Sequence, residues 1–186
     1  MTQLYHDILV DLETTGTDPS HNQILQIAAV KFNLAEGTVG STFDQALAPI
    51  PNRFWDEGTR DWWLKDKRAI LQSLFARQRD ADVVLKEFSQ WCEQDTDPYE
   101  KLRFWAKPIS FDFPFLSSYF KSLEVKNPFH FRNAIDQNTW LHARHFPNPV
   151  PNYEGELIPF EGPAHNALFD CFHQLKVIFR CYADTK

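Results

Sequence analysis

Apolar residues in the first quarter of the chain fall into three runs, at residues 6–13, 24–32 and 38–47. The runs are rich in residues that favour β-structure, and the stretches between them contain turn formers such as Gly16 and Gly37. Neighbouring strands joined by short connections pair in an antiparallel arrangement. The pattern therefore predicts an antiparallel meander of three strands at the start of the chain.

The rest of the chain shows mainly the periodicity of helices. The clearest pattern spans residues 164–182, where apolar residues recur every three to four positions. The same spacing predicts helices at 80–93 and 110–123, and a shorter helix at 139–145. We expect these helices to cover the faces of the sheet, since an apolar stripe needs an apolar surface to pack against.

Two further strands complete the predicted sheet, from short apolar segments at residues 102–106 and 131–135. Residues 146–163 contain five prolines and are predicted to form a loop. The sequence thus predicts an α/β fold, with a mixed five-stranded sheet that begins with the antiparallel meander and is flanked by helices. No repeat or linker divides the chain, so a single domain over residues 1–186 is expected.

Composition and charge exclude some classes of protein but do not indicate a particular reaction. No apolar run approaches the ~20 residues of a membrane helix, and the N-terminus lacks the features of a signal peptide. Three cysteines without a CxxC pair favour free thiols in a reducing, cytoplasmic location. The net charge of −6, taken alone, argues mildly against a nucleic-acid partner.

Two carboxylates end the first predicted strand. Asp11 and Glu13 are two residues apart, so their side chains point to the same side of a strand. Acidic groups held together are costly unless a cation pairs with them, and Mg²⁺ prefers such oxygen ligands. The alternative is a strand-end turn in which backbone amides satisfy one of the two carboxylates.

Three further candidate residues open two of the predicted helices. Asp112 lies in the first turn of a helix that follows a strand, where an α/β sheet presents side chains into a crevice. His165 and Asp170 are five positions apart at the start of the last helix, with Asp170 away from its apolar stripe. Each also has an ordinary explanation, because acids favour helix N-termini and a histidine there is often solvent-exposed.

Taken in order, these residues resemble the DEDDh 3′–5′ exonucleases of the DnaQ-like, RNase H-like superfamily. The matching segments, which cover most of residues 6–182, are DLETTG with Asp11 and Glu13, SFDFPFL with Asp112, and HNALFD with His165 and Asp170. Two other segments, TRDWW at 59–63 and FWAK at 104–107, are similar to the subgroup that contains the phage exonuclease DexA and the mycobacterial exoribonuclease RNase AS. The resemblance implies an RNase H-like fold for a single exonuclease domain.

The resemblance also implies a reaction: removal of nucleotides from the 3′ end of single-stranded RNA or DNA, with a slight preference for RNA. Two divalent metal ions can supply the hydroxide, neutralise the phosphate and assist the leaving oxygen. The four carboxylates would hold two Mg²⁺ or Mn²⁺ ions, and His165 would take the proton from the attacking water. Two such ions would offset four of the negative charges, which weakens the argument from net charge.

Contacts to the substrate are implied at four positions. The backbone around Leu12 and Thr14 would line the pocket of the terminal nucleotide, and Phe111 and Trp63 would stack on bases. Trp62 and Trp63 are adjacent on a helix, so at most one of them faces a given partner. Packing of the indole against the core is an equally plain explanation for either tryptophan.

Two other functions are compatible with the same residues. One is an endonuclease or phosphodiesterase that acts on small oligonucleotides at the same metal site. The other is an inactive nucleic-acid-binding module of this fold, although all five DEDDh positions are filled. A homodimer is a further hypothesis, since an exposed share of the aromatic residues, which make up 15% of the chain, could supply an interface.

Overall fold

The three N-terminal apolar runs form the antiparallel meander that the pattern predicts. In the computed structural model, which describes residues 3–186, they are strands β1 (Asp7–Thr14), β2 (Ile24–Asn33) and β3 (Thr38–Leu47). Strand β1 pairs with β2, and β2 pairs with β3, both in the antiparallel sense. Asp11 is the one residue of β1 that is partly exposed, because helices cover both faces of this strand elsewhere.

Two helices and a very short strand follow the meander. They are α1 (Glu57–Asp66), α2 (Arg68–Ala76) and β4 (Gln78–Arg79), in a stretch for which the sequence pattern set no bounds. Helix α1 begins at Asp56, whose carboxylate accepts a hydrogen bond from the backbone N–H of Thr59 at 2.8 Å. The helix predicted at 80–93 is confirmed as α3 (Ala81–Glu93).

The C-terminal half alternates between strands and helices, as predicted. Its elements are β5 (Arg103–Ala106), α4 (Ile109–Ser122), β6 (Ala134–Asp136), α5 (Gln137–His145) and α6 (Ala167–Asp184). The strand predicted at 131–135 is shifted, because residues 131–133 form a 3₁₀ turn. The predicted loop at 146–163 contains one π-helical turn, Tyr153–Leu157. None of the helices within residues 3–186 is long and apolar enough to cross a membrane.

Within residues 3–186 the sheet has six strands in the order β4-β3-β2-β1-β5-β6, which corrects the prediction of five. The additional strand, β4, consists of Gln78 and Arg79 and pairs in parallel with the end of β3. Two polar residues carry no hydrophobic periodicity, so a sequence pattern does not reveal such a strand. The mixed α/β class and the flanking helices are confirmed, with β5 parallel to β1 and β6 parallel to β5.

Two layers of apolar contacts fix the helices on opposite faces of the sheet. On one face, Ile8, Val10 and Leu12 of β1 pack in a cluster with residues of α3 and α4. On the other face, Leu9 packs with Cys171 and other residues of α6. Because side chains alternate along a strand, Asp11 and Glu13 lie on the α6 face. All three cysteines are buried and free, as the sequence suggested.

Tyr119 ties helix α4 to the start of β2 and provides a test of this packing. Its buried hydroxyl accepts a hydrogen bond from the backbone N–H of Ile24 at 2.7 Å and donates one to Gln23 Oε1 at 2.9 Å. Tyr119→Phe leaves the N–H of Ile24 without this partner, which costs about 1–3 kcal/mol of unfolding free energy. Urea denaturation should show this loss, and the exposed control Tyr99→Phe should show none. Equal stability of Tyr119→Phe and the unsubstituted protein would contradict this role.

Candidate active site

Acidic side chains from two elements converge at the end of β1. One carboxylate oxygen each from Asp11, Glu13 and Asp170 lie within 4.8 Å of one another. Asp11 is opposite Ala28 in the neighbouring strand, and Glu13 is opposite Gln26. The predicted spacing of Asp11 and Glu13 therefore produces a shared face, and α6 brings Asp170 to it.

The position of Asp170 depends on how α6 starts. Gln26 Oε1 accepts a hydrogen bond from the backbone N–H of Ala167 at 3.3 Å, which ties the first residue of the helix to β2. One turn later, Cys171 Sγ lies 3.7 Å from the carbonyl oxygen of Ala28. These two contacts dock the first turn of α6 against the sheet and hold Asp170 beside the β1 carboxylates.

Asp112 reaches the same region from the first turn of α4, as the sequence predicts. It is 2% exposed, and its Oδ1 accepts a hydrogen bond from the backbone N–H of Leu12 at 3.0 Å. This bond joins α4 to β1 between the two strand carboxylates. Burial and then the charge of Asp11 raise the pKa of Asp112, so the two carboxyl groups lie close together.

The four carboxylates all have raised pKa values in the absence of a cation. Burial, followed by repulsion from Asp170, raises the pKa of Asp11 to about 8. Burial and then the charge of Asp11 raise the pKa of Glu13 and of Asp112 well above their ordinary values. Burial also raises the pKa of Asp170. A divalent cation would remove this repulsion, and oxygen ligands of this kind are what Mg²⁺ and Mn²⁺ take.

Gln174 is a site residue that the sequence reasoning missed. Its Nε2 donates a hydrogen bond to Asp11 Oδ1 at 2.9 Å, and this bond favours the ionised form of Asp11. Gln174 follows Asp170 by four positions, so both lie on one face of α6. That spacing is the signal that could have identified it, although an amide in a helix has no chemical signature of its own.

His165 lies at the entrance to this cluster, two residues before α6. It is exposed, and its backbone φ of +64° is in the left-handed region that few residues other than glycine adopt. A positive charge on its imidazole would oppose the rise in the pKa of Asp170, so the two groups are close. The ring of Trp62 packs edge-on against the imidazole, with 4.9 Å between ring centroids. The structure thus brings the predicted histidine to the acidic cluster.

The two tryptophans of α1 have different surroundings, which corrects the prediction that Trp63 stacks on a base. Trp63 is 1% exposed, and its Nε1 donates a hydrogen bond to the carbonyl oxygen of Thr14 at 3.0 Å. A base has no access to this buried ring. Trp62 is partly exposed and is the tryptophan that faces the site. The indole of Trp63 therefore packs in the core, which is the alternative explanation that the sequence left open.

Of the other predicted substrate contacts, Leu12 and Thr14 lie at the end of β1, and Phe111 lies in the first turn of α4. Leu12 and Thr14 are buried, and the Thr14 hydroxyl donates to the carbonyl oxygen of Gly16 at 2.7 Å. Phe111 is partly exposed and packs against Phe115, with 4.9 Å between ring centroids. Phe111 directly precedes Asp112 in the first turn of α4.

Comparison with known families identifies the class of protein that this fold and site define. Residues 6–182 match the sequence model of the 3′–5′ exoribonuclease Rv2179c-like domain. The chain therefore belongs to this family, and its enzyme class is that of a 3′–5′ exonuclease. Comparison with curated proteins gave no significant match.

Solved structures with the same fold are also nucleases. The nuclease domain of 3′hExo, a DEDDh family member bound to rAMP, has a TM-score of 0.71 at 18% identity, over 97% of this chain and 93% of that one. The cell-death related nuclease CRN-4 has a TM-score of 0.69 at 20% identity, over 96% of this chain and 64% of that one. The zinc-bound ExoI–ssDNA complex of E. coli has a TM-score of 0.67 at 16% identity, over 95% of this chain and 40% of that one. The chain is thus similar in fold to the RNase H-like exonucleases and spans under two thirds of two of these three proteins.

Removal of one carboxylate should stabilise the metal-free protein. Asp11 has a folded-state pKa of about 8 and an ordinary value of 3.8, so the folded chain binds more protons than the unfolded chain between these values. The contribution of Asp11 to the unfolding free energy therefore falls as the pH rises from 3.8 to about 8. In EDTA at pH 8, Asp11→Asn should raise the melting temperature by roughly 2–4 °C for each kcal/mol of relieved repulsion.

Differential scanning fluorimetry at pH 5 and pH 8 measures this effect. The gain for Asp11→Asn should be larger at pH 8, and Mg²⁺ should stabilise the unsubstituted protein more than the variant. The exposed loop substitution Glu156→Gln serves as the matched control and should change neither value. A lower melting temperature for Asp11→Asn in EDTA at pH 8 would show that the carboxylates do not repel one another.

Proposed function

We propose that the chain is a metal-dependent 3′–5′ exonuclease that removes nucleotides from the 3′ end of single-stranded nucleic acid, with RNA favoured over DNA. The observation that carries this proposal is the convergence of the Asp11, Glu13 and Asp170 carboxylates within 4.8 Å at the end of β1. The description of the family as exoribonucleases supports the preference for RNA. The TRDWW and FWAK segments support a place in the subgroup of DexA and RNase AS.

Asp11, Glu13, Asp112 and Asp170 are the residues that would hold two Mg²⁺ or Mn²⁺ ions. Their pKa values are raised by burial and, for Asp11, Glu13 and Asp112, by repulsion from neighbouring carboxylates, which fits a set of ligands that is completed by cations. Bound ions supply charge neutralisation at the phosphate and a lower pKa for the attacking water. Gln174 holds the Asp11 carboxylate in place, and the Leu12 N–H holds that of Asp112.

His165 acts as the general base in this proposal. It lies next to Asp170 and is open to solvent, so an imidazole nitrogen can accept the proton of a water near the carboxylates. Trp62 limits the positions that the ring can take, since its indole edge packs on the imidazole. The segments at Leu12, Thr14 and Phe111 form the pocket of the terminal nucleotide, with Phe111 available for stacking.

The order in which products appear tests this function. With Mg²⁺ or Mn²⁺, 5′-labelled single-stranded RNA should shorten one nucleotide at a time from its 3′ end, faster than DNA of the same sequence. EDTA or Asp11→Asn should abolish the ladder, and His165→Ala should reduce the rate by about 10²–10⁴-fold. His142→Ala, an exposed histidine on α5, is the matched control and should leave the rate unchanged.

Three results would argue against the proposal. Cuts in the middle of the strand would favour the endonuclease alternative. Binding without turnover in either metal would favour an inactive binding module. Full activity of Asp11→Asn would separate the carboxylates from the reaction. The homodimer stays a hypothesis, which light scattering tests against the 21.8 kDa mass of one chain.

Trp62 should affect the rate more than substrate binding, since it contacts the imidazole of His165. Trp62→Ala frees the ring from its fixed position and should lower kcat by about 10–100-fold, with a smaller change in KM. Trp62→Phe keeps an aromatic edge there and should restore most of the rate. Steady-state kinetics on a short labelled oligonucleotide measures both values. If Trp62→Ala raises KM alone, the ring binds a base and does not position His165.

A further inference from the structure

Lys107 lies beside the carboxylates, although neither the DEDDh positions nor the roles proposed above include it. Strand β5 is parallel to β1, with Leu9 paired to Trp105. The pairing ends there, and Lys107 directly follows the last residue of β5, at the same end of the sheet as Asp11 two residues further along β1. The charge of Lys107 makes the smallest of the contributions to the pKa of Asp11 and favours its ionised form, which agrees with this placement.

The ion-pair partner of Lys107 comes from the proline-rich loop. The ammonium group contacts the carboxylate of Glu154, which lies in the π-helical turn of that loop. The turn is attached to α5 and α6, because the Tyr153 hydroxyl is 2.9 Å from His145 Nε2 and 3.2 Å from Asp184 Oδ2. Glu154 is therefore held near the edge of the site by α5 and α6, while its carboxylate stays on the surface.

When substrate binds, its phosphates bring negative charge that the positive charge of Lys107 can balance. Two divalent cations would neutralise the four carboxylates, and each phosphodiester group of the strand then adds one negative charge. Lys107 is 26% exposed, so it can meet a phosphate without much further loss of hydration. A second lysine, Lys67 at the junction of α1 and α2, lowers the pKa of Glu13 through its positive charge. Lys67 therefore acts on Glu13, whereas Lys107 acts on Asp11.

We propose that Lys107 binds a backbone phosphate of the substrate strand next to the scissile bond, and that Glu154 holds the ammonium group in place until a phosphate displaces it. Lys107 is then a substrate-positioning residue, and this role rests on the proposed exonuclease function. The exchange is feasible because a partly exposed Lys–Glu pair is worth only about 0–1 kcal/mol. A phosphate also carries several oxygens that a lysine can approach as a point charge.

The salt dependence of binding tests this contact without relying on turnover. A fluorescent single-stranded oligonucleotide is titrated with the His165→Ala protein in Ca²⁺, at several potassium concentrations, and anisotropy is read. Loss of one phosphate contact should reduce the slope of log K against log salt by about 0.7, which is about a fivefold weaker affinity at 0.1 M salt. We expect this change for Lys107→Gln, and Lys107→Arg should keep the slope of the parent protein.

Two further variants separate phosphate binding from a purely structural role. Glu154→Gln removes the competing carboxylate and should leave the slope unchanged, with affinity equal to or up to about fivefold above that of the parent. Lys126→Gln is the matched control: Lys126 pairs with Glu93 beyond the far end of α4 and should change neither value. Melting temperatures of all variants show whether each one is folded.

The outcomes distinguish the two proposals. An unchanged slope for Lys107→Gln overturns the phosphate contact, even if the protein cuts RNA from its 3′ end. A loss of affinity for Glu154→Gln as large as that for Lys107→Gln overturns it too, since the pair would then serve to hold the loop. If the unsubstituted protein neither binds nor cuts single-stranded nucleic acid, the exonuclease function itself fails.

Discussion

The burial of several carboxylates close together at the end of β1 is the constraint on which the rest of the structure depends. Folding brings Asp11, Glu13 and Asp170 within 4.8 Å and largely buries them, and this arrangement raises all of their pKa values. The remaining structure has to offset that cost. Apolar packing on both faces of β1 holds the strand, and the bonds of Gln26 to Ala167 and of Leu12 to Asp112 dock the two helices that bring the other acids. The cation affinity proposed for the site has the same origin as its instability without cations.

The elements around the site form a second layer that positions groups without being ligands themselves. Helix α1 is attached to strand β1 through the hydrogen bond from Trp63 to the Thr14 carbonyl, so that its neighbour Trp62 packs against His165. The proline-rich loop extends from α5 to α6 and presents Glu154 to Lys107. Both elements therefore couple a surface contact to the acidic cluster. Their substitutions are expected to alter binding and rate more than stability.

The sequence predicted the parts of this arrangement that have a periodic or chemical signal. Continuous apolar runs identified the meander, and helical spacing identified α3, α4 and α6, so the positions of Asp11, Asp112 and Asp170 could be inferred. The bounds of α1 were not predicted because Trp63 is its one buried residue and charged residues surround it, and those of α2 because its nine residues contain only two buried positions. Strand β4 was not predicted because two residues make no pattern. The choice between Trp62 and Trp63 depended on a hydrogen bond to Thr14, 49 residues away in the chain, which no local pattern contains. Gln174 was missed for a similar reason, since its role comes from a contact between helix α6 and Asp11 of strand β1.

Binding of Mn²⁺ in the absence of nucleic acid is the most direct test of the central claim, that these carboxylates form a divalent-cation site. Isothermal titration calorimetry, with electron paramagnetic resonance to count free ions, should find two Mn²⁺ ions per chain at pH 8. Asp170→Asn should lose at least one of them, and affinity should fall as pH drops below about 8, where Asp11 takes up a proton. The absence of bound Mn²⁺, or the same stoichiometry and affinity in Asp170→Asn, would contradict the account.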